Sequence, residues 1–472
     1  MRSRWKCLVA ATAGLLATPQ LAVADDVQEQ LRQMQERMSQ LEDKLQAASD
    51  QLEQANERVT EQQQVLQKAG LDDESSAISS LSKFLNETEF NGLVAASYNW
   101  NFHNPDNTRV FPGSRAGGTA GGGENQNAFA LGAPFHRYHN NFQLDQALIS
   151  MSKASTAESR AGFGVDVAWG VSADQQGGNS ATTASGNVTS NDTYLYQAYA
   201  TYLAAIGDGV QVKAGKFGTL IGAESYRQDQ NWNVTRGLVW QLQPVTHTGV
   251  TLSGNLAGGM YWGAGVVNNI DNTVNGGFDT NNVKTGLIQG GIAGDNYKVQ
   301  LTGLIGPGDT GFLPGFASQA GNSDEGQVFY TDLVATYNPS DALALWLNFD
   351  WITQRNDTGG GSKENIYATA VAGRLKLTER TGLATRFEYV KGAEVCRNGG
   401  CPLAGADDSF DLYSLTGTLD HALTDSLTLR GEVRWDMGDA ESSTDNFFVG
   451  PDAMVATRDS RTMAIAEMLY RF

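Results

Sequence analysis

The residues here with the clearest capacity for chemistry are charges set at every second position of apolar segments. Arg430, Glu432, Arg434 and Asp436 alternate with Gly431, Val433 and Trp435. Arg374 and Lys376 alternate with Leu375 and Leu377, and Arg386 and Glu388 with Phe387 and Tyr389. Lys213 and Lys298 hold similar places in their own segments. A period of two puts the charges on one face of a strand and the apolar residues on the other. Buried unpaired in a protein core, such charges would be prohibitively costly. Facing water inside a channel they cost little and can filter ions by sign. A second reading is that they pair with one another and stiffen a wall, and the spacing is compatible with both.

Other reactive types are sparse. The histidines are His103, His136, His139, His247 and His421, and none has the spacing of a Ser-His-Asp triad or of a metal motif. His136 and His139 could reach a metal from one loop, but histidines satisfied within a loop are the commoner case. No enzyme activity, metal or cofactor is expected. Cys396 and Cys401 bracket Arg397-Asn398-Gly399-Gly400 in a polar, glycine-rich stretch without nearby histidine. In an oxidising compartment that spacing favours a disulfide that pins the loop.

The elements that must position these charges are long strands. Phe90, Gly92, Val94, Ala96, Tyr98, Trp100 and Phe102 share one strand face, opposite Asn91, Ser97, Asn99 and Asn101. An apolar band ending in Tyr, Trp and Phe is what a lipid-facing surface with an interfacial aromatic girdle requires. The same pattern returns in Leu343, Leu345, Leu347, Phe349 and Trp351, and again in Leu427, Leu429, Val433 and Trp435. It returns last in Thr462 to Phe472, where Met468, Tyr470 and Phe472 share a face opposite Glu467 and Arg471. A strand that ends on a terminal Phe resembles the closing strand of bacterial outer-membrane barrels, where the barrel-assembly machinery reads that residue. Short turns near 153–159, 204–209, 257–258, 294–296, 338–341, 378–381 and 421–426 alternate with eight long polar segments. The count predicts a transmembrane β-barrel of about sixteen antiparallel strands over residues 90–472, with both barrel ends on the short-turn side. A barrel of that size encloses an aqueous lumen.

The N-terminal part reads differently. Arg2, Arg4 and Lys6 precede an apolar run from Leu8 to Ala17, and Ala22-Val23-Ala24 fits a cleavage site. Residues 1–24 are therefore predicted to be a signal peptide, with the run too short to span a bilayer. Residues 25–70 carry an unbroken heptad seam that includes Leu31, Met34, Met38, Leu41, Leu45 and Leu52. Six heptads make a coiled-coil rod of roughly 60 Å. Residues 71–89 read as a linker that is acidic and contains Ser. The chain has 52 acidic against 33 basic residues, a net charge of −19, which argues against nucleic acid as a partner.

One stretch carries a family likeness. Lys213-Ala-Gly-Lys-Phe-Gly-Thr-Leu-Ile-Gly-Ala-Glu-Ser-Tyr226 continues through Asn231-Trp232-Asn233 and Thr235-Arg236 to Pro244-Val-Thr-His247-Thr-Gly-Val250. It closely resembles the signature of the OmpL-like β-barrel porin-2 family, with Tyr138–Leu148 and Gln197-Ala198-Tyr199 as further shared elements. Leu220-Ile221-Gly222 lacks the proline found there in the family, a small departure. The resemblance covers roughly residues 90–472 and implies a general outer-membrane channel. The coiled coil looks like the N-terminal segment of some trimeric porins, dicarboxylate-channel porins included, which implies a homotrimer joined along that seam. In trimeric porins the third long loop often folds into the lumen. By that likeness Glu224, Arg227, Asp229 and Arg236 would line the narrowest passage, with His247 at the strand entry, unless the loop packs on the rim.

The leading expectation is an outer-membrane porin for passive diffusion of small hydrophilic solutes or ions, with the coiled coil in the periplasm. Outer-membrane lipid and lipopolysaccharide would surround it, and the coil would come near peptidoglycan. The alternative is a barrel-anchored periplasmic tether with a structural role in the envelope.

Overall fold

The strands follow from the alternation just described, and in the computed structural model they close on themselves. The structure describes residues 84–102, 135–136, 139–176, 181–182, 188–189, 193–268, 270, 283–307, 327–356, 362–393, 410–440, 448–449 and 456–472. The expected signal peptide, the coiled coil with its seam, most of the linker, and Cys396 and Cys401 lie outside the described residues. The chain divides into two units, Met1–Asn86 and Glu87–Phe472. Of the first, residues 84–86 are described, and they are helical.

The second unit is a closed barrel of sixteen strands, each paired with its neighbours in chain order. They are β1 (Glu89–Asn101), β2 (Asn141–Lys153), β3 (Ala161–Trp169), β4 (Thr193–Ala204) and β5 (Val210–Gly218). Next come β6 (Thr246–Asn255), β7 (Met260–Val267), β8 (Thr285–Ala293), β9 (Tyr297–Pro307) and β10 (Gln327–Ser340). The longer strands β11 (Leu343–Asn356), β12 (Ser362–Thr378), β13 (Thr381–Ala393), β14 (Phe410–Ala422) and β15 (Leu427–Ala440) follow, and β16 (Ser460–Arg471) completes the ring. Every pairing is antiparallel, and β1 meets β16 from Leu93↔Arg471 to Asn101↔Met463. Gly92 and Phe472 exchange backbone bonds at 2.9 and 3.1 Å, so the last residue closes the seam. Closure leaves no strand edge unpaired, as a membrane interior demands. The short and long connections fall where the alternation placed them.

Faces also separate as expected. Val433, Trp435, Leu375, Phe387, Met468 and Tyr470 are exposed on the outside, while Arg434, Arg386 and Glu467 are buried on the inside. Burial inside a sixteen-strand ring requires something to fill it. Among the described residues most of the filling is the connection between β5 and β6, which contains a short 3-10 turn (Gln228–Gln230) and a short helix, α2 (Leu238–Gln241); α1 (Val171–Gln176) follows β3. Ile221, Leu238, Val239 and Leu242 pack against Leu287, Leu304, Val328, Tyr330, Ile352 and Ile366 of the inner wall. Tyr226, Trp240 and Val245 pack with Leu93, Leu148, Tyr194 and Tyr196, and Val234 with Met463 and Ile465. Each such aliphatic side chain contributes about 1.5–3 kcal/mol on burial.

Candidate functional site

The segment 219–245 leaves β5, crosses the barrel interior and returns at β6, and its own sequence shapes it first. Gly222 has φ +90°, and a Cβ there would lie 2.0 Å from Oε1 of Gln243, so glycine alone fits this turn. Asn231 closes a loop on itself: its Oδ1 accepts from the Ser225 N–H (2.8 Å) and its Nδ2 donates to the carbonyls of Ser225 (2.9 Å) and Arg227 (2.6 Å). Arg236 fastens the two halves, donating to the carbonyls of Ser225 (2.7 Å) and Tyr226 (2.6 Å) and to Gln228 Oε1. Burial pushes that guanidinium down to about 10, which leaves it charged at neutral pH.

The inner wall then holds the segment by charge. Glu432 on β15 accepts from the N–H groups of Val234 (2.5 Å) and Thr235 (3.0 Å), from Thr235 Oγ1 (2.5 Å) and from Thr418 Oγ1 (2.7 Å). Arg386 on β13 pairs with Glu224, donates to the Thr235 carbonyl (2.8 Å) and pairs with Glu388 (3.0 Å). Glu388 in turn accepts from the Val239 N–H (3.1 Å), and Glu224 from the Gly237 N–H (2.7 Å). Burial raises the Glu224 carboxyl above its ordinary range, against the pull of Arg386. Arg430 pairs with Glu467 and donates to the Asn231 carbonyl (2.9 Å). Arg434 donates to the Arg236 carbonyl (2.6 Å) and pairs with Asp436, which Arg461 also holds. On β11, Asn348 and Asp350 accept from Gln243 Nε2 at 2.8 and 2.9 Å.

Seven of the residues expected to line the lumen, Glu224, Arg236, Arg386, Glu388, Arg430, Glu432 and Arg434, thus come together as one buried network. Arg227 and Asp229 pair at 3.0 Å on the segment itself and keep some solvent contact, with 13% and 14% of their side chains exposed. Arg374 and Lys376 face the lumen near the short turns, paired with Asp420 (2.7 Å) and Glu379 (2.6 Å). They line a cavity of about 320 Å³ with Trp232, Asp229, Arg380, Arg430 and Arg471. Lys213 and Lys298 stand apart from the segment, over the rings of Tyr199 (4.6 Å) and Tyr261 (5.3 Å). His247 meets Thr219 Oγ1 at 2.9 Å where β6 begins.

Several members of this network were not singled out from the sequence: Gln228, Gln243, Asn348, Asp350 and Arg461. The strand alternation carried a signal for Asn348 and Asp350, which sit opposite Leu347 and Phe349. Among the described residues, His136, Asp145 and Glu467 form a group able to hold a cation. His139 stands outside it, its Nδ1 accepting from the Asn101 N–H at 2.9 Å.

A closed sixteen-strand barrel with an apolar outer face and a charged interior crossed by residues 219–245 is the architecture of an outer-membrane porin. Residues 87–472 match the family described as "Putative beta-barrel porin-2, OmpL-like", and the chain belongs to it. It is an outer-membrane channel for passive diffusion. Among solved structures, in-vitro folded OmpT of Vibrio cholerae in its trimer form is similar, with 11% identity, a TM-score of 0.50 and cover of 82% of this chain and 99% of that one. An anion-selective porin from Comamonas acidovorans shares 10% identity at a TM-score of 0.48, covering 82% and 99%. The outer membrane channel DcaP of Acinetobacter baumannii shares 10% at 0.48, covering 82% and 97%. At these identities the likeness is one of fold. No curated protein matches the chain.

Proposed function

We propose that segment 219–245 is the constriction of the channel, and that the charges on the inner wall divide into two tasks. Glu224, Arg236, Arg386, Glu388, Arg430, Glu432 and Arg434 position the segment. Arg227, Asp229, Arg374 and Lys376, which keep solvent contact, filter what passes beside it, with Lys213 and Lys298 adding to the field of the wall. The observation that carries this reading is the set of buried bonds from Glu432 and Arg386 to the backbone of residues 234–235. They hold the segment across the lumen, so solutes must pass around it. Selection then rests on size at the remaining gap and on the charge lining it.

The protein works as a homotrimer in this proposal, a reading supported by the trimer form of the similar OmpT structure. An even strand count puts Glu89 and Arg471 at the same end of the barrel, which supports a periplasmic coiled coil over 25–70. From there its seam (Leu31, Met34, Met38, Leu41, Leu45 and Leu52) would join three copies and bring the rod near peptidoglycan. Cys396 and Cys401 form a loop disulfide in this picture, and Phe472 is the residue read by the barrel-assembly machinery. Lipid and lipopolysaccharide cover the outward faces.

Planar-bilayer recording of the purified protein tests the reading. Current steps grouped in threes are expected, with a reversal potential in a salt gradient that shifts when Arg374 and Lys376 are neutralised. A reversal potential unchanged in the Arg374 and Lys376 variants, or steps that never group in threes, would overturn this reading of the constriction and of the trimer.

A further inference from the structure

Phe135 and His136 stand near the end of the first long connection, and both are inside the barrel. Phe135 is 1% exposed and meets the rings of Tyr226 and Trp240 edge-on, at 5.8 and 5.2 Å between centroids. That anchor delivers His136 to the inner wall opposite Asp145 of β2 and Glu467 of β16. The three are 1%, 1% and 3% exposed. Nε2 of His136 lies 3.6 Å from Oδ1 of Asp145, and one ligand atom from each of the three lies within 4.8 Å of the others.

Among the described residues, neither ring nitrogen of His136 has a hydrogen-bond partner, and neither does Oδ2 of Asp145. Buried polar atoms without partners are rare, and each calls for an explanation such as a water or an ion. What converge here are electron-pair donors: an imidazole and two carboxylates. Arg430 already pairs with Glu467, so Asp145, whose Oδ2 has no partner among the described residues, is the carboxylate left to meet a cation. Burial, and after it the charges of Arg236, Arg430 and Arg434, hold the His136 imidazole well below its ordinary range.

The carboxylates are also braced from behind, as metal ligands usually are. Asp145 Oδ1 accepts from Ser97 Oγ (2.8 Å) and Gln143 Nε2 (2.5 Å). Glu467 accepts from Gln228 Nε2 (2.6 Å) and pairs with Arg430. Of the other two arginines, Arg236 is bound to backbone carbonyls and Arg434 to Asp436, so neither occupies the gap.

We propose that His136, Asp145 and Glu467 bind one divalent first-row transition-metal cation inside the barrel, with water completing its coordination. Ligand distances of about 2.0–2.2 Å to nitrogen and oxygen call for side-chain shifts on the order of 1 Å to close the group. One imidazole with two carboxylates suits Zn²⁺ or Mn²⁺, whereas Mg²⁺ and Ca²⁺ favour all-oxygen sets. The ion joins the end of the first connection to β2 and β16. Through Gln228 on Glu467 it also braces the segment that crosses the lumen. This site goes beyond the channel reading and does not depend on conduction.

The test uses the full-length protein, folded in detergent and stripped with EDTA. Zn²⁺ and Mn²⁺ are titrated by calorimetry, bound metal is counted after gel filtration, and Co²⁺ is added to read its visible absorption. One ion per chain is expected, with Mg²⁺ at least tenfold weaker. Both His136→Ala and Asp145→Asn should weaken Zn²⁺ binding at least tenfold and change the Co²⁺ spectrum. Heat-modified gel migration reports whether each variant is folded; if His136→Ala is not, His136→Gln replaces it. A folded wild type that binds no ion, a water-filled site only, overturns the proposal. So does binding that is unchanged in the folded histidine variant, or Mg²⁺ bound as tightly as Zn²⁺.

Discussion

Glu432 gathers more of the crossing segment than any other wall residue described above. Two backbone N–H groups and two hydroxyls converge on its carboxylate. In Glu432→Gln one oxygen becomes an NH₂, so donors face donors. Hydrogen bonds to a charged group contribute about 1.5–3 kcal/mol each, and at least one is lost outright. The barrel should still form, with a lower melting temperature, a larger single-channel conductance and more current noise as residues 231–237 loosen. Wild-type conductance and melting would show that the carboxylate does not hold the segment. Gly237 makes a second case. A Cβ there would sit 2.0 Å from Oε1 of the buried Glu388, which has no room to yield beside Arg386. Gly237→Ala should therefore destabilise the folded barrel by about 1–3 kcal/mol, the usual result of overpacking, read by denaturant titration in detergent.

At the level of elements, each strand serves two solvents. Val433 sits in the middle of β15 with 56% of its surface exposed on the outer face, while Glu432 and Arg434 beside it are buried inside. Val433→Arg should cost about 2–4 kcal/mol in lipid, as an arginine facing the bilayer midplane does. Asp341→Arg, at an exposed position in the short turn between β10 and β11, should leave stability within about 0.5 kcal/mol. Unfolding by urea in lipid vesicles checks both, and equal effects would contradict the assignment of faces. This two-solvent pattern is why so much of the barrel was legible in the sequence. Alternation named the outward Val433 and Trp435 and the inward Arg434, and turn lengths counted the strands. The partners of the inward charges were not legible. Glu432 meets Val234 across 198 positions, a contact created by closing the ring. One clue lay unused: Leu304, Val328, Tyr330, Ile352 and Ile366 face inward and are apolar, which is wasteful beside water. Apolar residues such as Ile221, Leu238, Val239 and Leu242 lying inside the barrel account for them.

Across the whole molecule, stability and assembly depend on the same seam in different ways. Removing Phe472 deletes the two backbone bonds with Gly92 and the ring that lies beside it. These bonds are at the end of the β1–β16 pairing, which runs on through nine further residue pairs from Leu93↔Arg471. At the rim water can satisfy the freed groups, so each lost bond should cost about 0.5–1.5 kcal/mol. In the bilayer interior each unpaired group would cost far more. The equilibrium stability of a truncated barrel should therefore fall by no more than about 3 kcal/mol. If the assembly machinery also reads Phe472, the loss in cells should be far larger than this. The truncated chain should then fold in detergent with a melting point near that of the full chain, yet reach the outer membrane in much smaller amounts. Equal losses in the two settings would mean that Phe472 acts through the seam alone. A normal outer-membrane level would mean that the rest of β16 suffices for assembly.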